Sequence, residues 1–206
     1  LYITNADIVT NIKCIFLKNG ATTSKGRGGA IYARKINQYV LNIYCHIASN
    51  KAVMGGGCFI DTAINITFAW STFIKNFAKT EGGGLKIMKS NSIKCKKCNF
   101  IKNEAELDWG AACSYKYASF LFQADTLFKD NYGDLGGAVI ILNLQYTSNT
   151  NCTFSSNKGR SYGGALKMKH LDVLVNIHCI YKDNQVKKIG GAISYEFGTK
   201  LVFIGC

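Results

Sequence analysis

The chain has 206 residues, 48% of them hydrophobic, which is long enough to bury a core and excludes a disordered tail. Its 25 Lys and Arg against 12 Asp and Glu leave a net charge of +13, and 22 of those bases are lysines. Bidentate readout of guanine or phosphate favours arginine, so sequence-specific nucleic-acid binding is set aside, leaving a solvated lysine face or an acidic partner. The longest apolar runs, such as GGAVIILNL at 136–144, fall short of the roughly 20 residues a membrane helix needs, so neither a span nor a targeting peptide is read.

The predicted elements are copies of one unit. The first places Cys14, Phe16 and Asn19 ahead of a Gly28-Gly29 pair followed by Ala30. The second holds Cys45, Ile47 and Asn50, then Gly56-Gly57, and is followed by a sequon, NIT, at Asn65. STFIKN (71–76) with Gly83-Gly84 is the third, and CNFIKN (98–103) with Gly110-Ala111 the fourth. The fifth carries Thr126, Phe128 and Asn131 before Gly136-Gly137 and Ala138. A second sequon, NCT at Asn151, overlaps CTFSSN (152–157), which leads to Gly163-Gly164 and Ala165. CIYKDN (179–184) with Gly190-Gly191 and Ala192 completes seven units, and Cys206 falls at the cysteine position of an eighth.

The asparagines Asn19, Asn50, Asn76, Asn103, Asn131, Asn157 and Asn184 stand 31, 26, 27, 28, 26 and 27 residues apart. The small-residue pairs keep a similar spacing, so two independent columns share one period. Propeller blades and helical-pair repeats need longer units, which leaves leucine-rich repeats as the rival. Those require an apolar residue eight positions before the asparagine, where this chain has Asn11, Asn42, Phe68, Cys95, Gln123, Asn149 and Asn176. β-Branched and aromatic stretches such as AINITFAW and VLVNIHCIY favour strands over helices. The reading is therefore all-β: a right-handed parallel β-helix solenoid of about seven coils of ~27 residues, a rod about 34 Å long at the strand spacing. Residues 1–206 read as a single solenoid segment without visible caps, part of a longer chain or a unit of a stacked fibre.

Within a coil, Cys98 and Phe100 are two apart and share a face of the strand, which is taken as inward. The aromatics then stack along the core. The seven asparagines sit at a corner, where each amide can donate to one coil and accept from the next, making a structural ladder. Cys14, Cys45, Cys98, Cys152, Cys179 and Cys206 form a column with Ser71 and Thr126, so the position selects small side chains; buried free thiols are favoured over disulfides. Gly-Gly-Ala marks a second, cramped corner.

GGAI at 28–31 and 190–193, alternating with FIKN, FKDN and FSSN, resembles the GGAI/FxxN repeats of chlamydial polymorphic outer-membrane proteins and the β-helix repeats of large protist surface proteins. The resemblance implies an extracellular or cell-surface solenoid, structural or adhesive and fibre-forming. The Lys-rich, Pro-free composition points to a surface protein of a eukaryotic microbe. The alternatives are a module docking its lysines on an anionic glycan or acidic protein surface, and a polysaccharide-processing β-helix enzyme. The third needs converging carboxylates, yet NEAELD (103–108) reads as a loop beside Trp109, and Asp130 and Asp183 lie two coils apart. CKKC (95–98) has no partnering ligand pair for zinc, so no cofactor, metal or catalytic residue is assigned. Asn65 and Asn151 are the glycosylation candidates, both read as outward-facing, Asn65 by its place in a polar column with Asn37, Ser92 and Ser119. Neighbouring coils or copies of the solenoid are the expected partners.

Overall fold

The computed structural model describes residues 1–107 and 112–206. Among them there is no helix, and every strand pairing is parallel. Each of the first seven coils contributes one long strand, one strand of three residues and a third strand of two to five residues, and equivalent strands of successive coils pair into three sheets. The long strands, Ile31–Ile43, Cys58–Ala69, Leu85–Lys96, Cys113–Ala124, Val139–Thr150 and Leu166–Ile177, follow Tyr2–Ile12 in sequence order, and the last coil is split into Ile193–Glu196 and Lys200–Ile204. The second sheet runs from Ile15–Leu17 to Ile180–Lys182, and the third joins Gly20–Ala21 through Gln185–Val186. This is a parallel β-solenoid of about seven turns.

The aromatic column forms the core of the second sheet. Phe73, Phe100, Phe128, Phe154 and Tyr181 stack face to face, with centroids 4.6, 5.0, 4.8 and 4.9 Å apart and planes within 10°. The spacing is the strand spacing itself, so ring stacking and backbone pairing reinforce one another.

Corners are built differently from the glycine-led expectation. Among the described residues 22 non-glycine positions have positive φ, and all fall into three columns. One column bends each long strand in its middle: Asn5, Lys35, Thr62, Lys89, Tyr117, Asn143, His170 and Phe197, with φ between 53° and 68°. The other two follow the long strand, as at Trp70 and Lys97, and precede the corner asparagine, as at Lys75 and Lys102. Glycine takes positive φ at the third corner, at Gly28, Gly55, Gly82, Gly163 and Gly190. In the second and third coils the pair is therefore Gly55-Gly56 and Gly82-Gly83, one residue earlier than spacing alone predicts. A Cβ on Gly56 would lie 2.2 Å from the Phe77 carbonyl oxygen and 2.4 Å from that of Gly83, so close approach of neighbouring coils fixes glycine there. The following Ala30, Ala138 and Ala165 are buried and Ala192 half-buried. Gly110-Ala111, with Asp108 and Trp109, lies outside the described residues.

Candidate functional site

The seven corner asparagines stand in one column, each bonded to the next. The Asn103 Oδ1 accepts from the Asn76 backbone N–H (3.1 Å) and from Asn76 Nδ2 (3.0 Å). Asn103 Nδ2 donates backward to the Phe73 carbonyl (2.8 Å) and forward to Asn131 Oδ1 (3.2 Å). The same pattern links Asn19 to Asn50, Asn50 to Asn76, Asn131 to Asn157 and Asn157 to Asn184. A primary amide has two donors and an oxygen with two lone pairs, so one side chain satisfies the polar groups of a buried corner on both neighbouring coils.

The cysteine column also points inward. Cys45, Cys98, Cys152 and Cys179 are buried, as are Ser71 and Thr126 in the same column. Each thiol donates to the carbonyl two residues earlier, as Cys98 Sγ does to Lys96 (3.5 Å), and Ser71 Oγ makes the equivalent bond to Ala69 at 3.0 Å. All nine cysteines are described and free. Burial pushes the Cys98 thiol up to about 12 and raises the Cys95 and Cys113 thiols as well. Within CKKC, both thiols therefore face the interior as poor nucleophiles.

The polar column eight residues before the asparagine is buried, which its composition hides. Asn11 Nδ2 donates to Asn42 Oδ1 and Asn149 Nδ2 to Asn176 Oδ1, each at 2.8 Å, while Gln123 Nε2 reaches the Tyr115 hydroxyl at 3.3 Å. In register, Asn42 then meets Phe68 and Asn176 meets Phe203, so each amide pair stops against an aromatic residue.

Charge is buried as well as solvated. Lys86 is only 2% exposed, and its Nζ lies 2.6 Å from Glu81 Oε2, which also binds Lys116 at 2.7 Å and accepts from Ser114 Oγ at 3.3 Å. Burial pushes the Glu81 carboxyl up, but the two lysines outweigh it and hold it below the usual carboxylate range. Burial draws Lys86 below the usual lysine range against the pull of Glu81. Lys167 is buried likewise, binding Ser194 and Glu196.

Among the described residues the other acidic side chains do not converge. Arg34 lies 3.6 Å from Asp61, Asp7 accepts from Asn37, and Asp134 accepts from Ser161. Among the described residues no group of three metal-ligating side chains occurs. Asn65 and Asn151 are exposed. The column of Asn65 contains Tyr39, Ser92, Phe120 and Tyr146, in place of the Asn37 and Ser119 that the spacing suggested. Ile31–Ile43 is one residue longer than Cys58–Ala69, and the register slips between Ile36 and Tyr39.

Two cavities line the strand bends. One, of about 430 Å³, is bordered by Asn5, Lys35, Asn37, Thr62, Lys89 and Asn91. The second, of about 370 Å³, is bordered by Lys116, Tyr117, Asn143, Lys169 and His170. Lys89 and Tyr117 occupy successive coils, so the two continue along one line parallel to the stack.

Residues 13–34 match the model of the Chlamydia polymorphic membrane protein repeat. The matched stretch spans one corner asparagine, Asn19, and one Gly-Gly-Ala corner, Gly28 to Ala30. No curated protein and no solved structure matches the chain.

Proposed function

We propose that the chain is a non-catalytic structural or adhesive solenoid of a cell surface, displayed outside the cell. The observation that carries this reading is the match of a membrane-protein repeat to a unit whose corner asparagine recurs through seven hydrogen-bonded coils. Such a unit yields a stiff rod whose outward positions are free to vary, which suits display and contact better than turnover. Exposure of Asn65 and Asn151 fits a glycosylated surface. Further coils, of this chain or another copy, are the partners proposed for the open strand edges at Tyr2–Ile12 and Lys200–Ile204.

Antibodies raised against the chain test the location. Labelling of intact, unpermeabilised source cells, with a mass shift on deglycosylation that is lost in an Asn65→Gln/Asn151→Gln variant, is the expected result. Labelling that appears only after permeabilisation would contradict the surface reading.

A further inference from the structure

We propose that the line of cavities along the strand bends binds an extended polyuronate, a glycan bearing carboxylates, laid parallel to the stack of coils. This rests on the surface-rod reading and names the ligand that such a rod would grip.

The bend offers one outward side chain per coil at positive φ, so its side chains stand in file about 4.8 Å apart. Lys35 and Lys89 are two coils apart in that file, about 9.6 Å, which is near the length of a disaccharide. Carboxylates on alternate sugars would meet them in turn. Between and beside them lie Thr62, Asn5, Asn37 and Asn91, hydroxyl and amide groups suited to sugar hydroxyls. The second cavity continues the chemistry with Lys169, Asn143 and Tyr117.

Charge supports an acidic occupant. Of the carboxylates bordering the bend, Asp61 and Glu196 are paired with Arg34 and Lys167, Asp7 accepts from Asn37, and Asp172 is exposed. Among the described residues Lys35 and Lys89 have no acidic partner, and both are exposed. The cavities are open and elongated in their arrangement, which suits a polymer more than a small molecule. An acidic peptide supplies the charge but few hydroxyls for Asn5, Asn37 and Asn91, which share the lining with the apolar Ile36, Ala63 and Ile64, so the glycan is favoured.

The test is calorimetric titration of the chain, at low salt, with an oligogalacturonate long enough to cover both cavities. Lys35→Asn/Lys89→Asn removes both charges with a residue that tolerates positive φ. Saturable binding that this double variant weakens about tenfold or more is expected. Lys94→Asn/Lys96→Asn, which alters two exposed lysines elsewhere on the long strand, should weaken it less than about twofold. Absence of saturable binding, equal losses in the two variants, or equally tight binding of poly-glutamate would overturn the proposal. Circular-dichroism melting of the same samples separates the two readings, because an unchanged melt with no binding removes the ligand and leaves the rod.

Discussion

Lys86 and Glu81 form an ion pair of 2.6 Å in which the lysine is almost wholly withdrawn from water. Neutralising one member leaves the other buried without its counter-charge. Glu81→Gln is therefore expected to cost about 3 kcal/mol in urea unfolding, and replacing all three charges, Lys86→Met/Lys116→Met/Glu81→Leu, should cost less than Glu81→Gln alone. The pair also sets an acid limit. The Glu81 carboxyl titrates lower in the folded chain than its ordinary 4.5, so its contribution is complete above that value and is lost as pH falls toward the folded one. Unfolding midpoints followed downward from pH 6 should drop less for Glu81→Gln than for the parent chain.

The interior amides act as pairs. Removing Asn176 alone strands the Asn149 amide in the core, so Asn176→Val should cost roughly 1–3 kcal/mol. Asn149→Val/Asn176→Val should cost less than the sum of the single changes, and a double-mutant cycle on urea midpoints measures the coupling.

Thr62 is the β-branched residue of the bend column, held at φ 68°. Asparagine accepts that backbone more readily, so Thr62→Asn is expected to stabilise by about 0.5–1 kcal/mol in thermal or urea unfolding.

Thiol reactivity reports the cysteine column. Burial raises the Cys58, Cys95, Cys98 and Cys113 thiols, whereas Cys206 is exposed. Brief iodoacetamide treatment of the folded chain, read by peptide mass spectrometry, should label Cys206 and spare those four.

The period was legible because few residue types can do what Asn103 and Gly56 do. A corner amide serves two coils at once, and a glycine whose Cβ would strike two carbonyls cannot be replaced. The strand bends were not legible. Any residue can be held at positive φ once both flanking strands pair, so Lys89, Tyr117 and His170 carry no common signature. Asn149 and Asn176 read only as polar positions that speak against a leucine-rich repeat, because an amide's partner one coil away is invisible until the coils stack. Nothing in the sequence set Lys86 apart from the solvated lysines, because its pairing with Glu81, at the end of the strand Phe77–Glu81, forms only in the folded coil. The environment of Asn65 was misread on both sides: an extra residue in Ile31–Ile43 shifts the register between Ile36 and Tyr39, and the coil between Ser92 and Phe120 is one residue longer than the 27-residue spacing assumed.

The central claim is that the asparagine column holds the coils together while the cysteine column only fills space. Asn103→Leu deletes the acceptor of two bonds from Asn76 and the donor to Phe73, leaving buried groups orphaned. Cys98→Ser repeats what the chain already does at Ser71. Thermal melting of the two variants beside the parent chain is the direct measurement. Asn103→Leu should lose about 3 kcal/mol, roughly 6–12 °C in Tm, while Cys98→Ser stays within about 1 kcal/mol. Equal melting temperatures for the two variants would contradict the account.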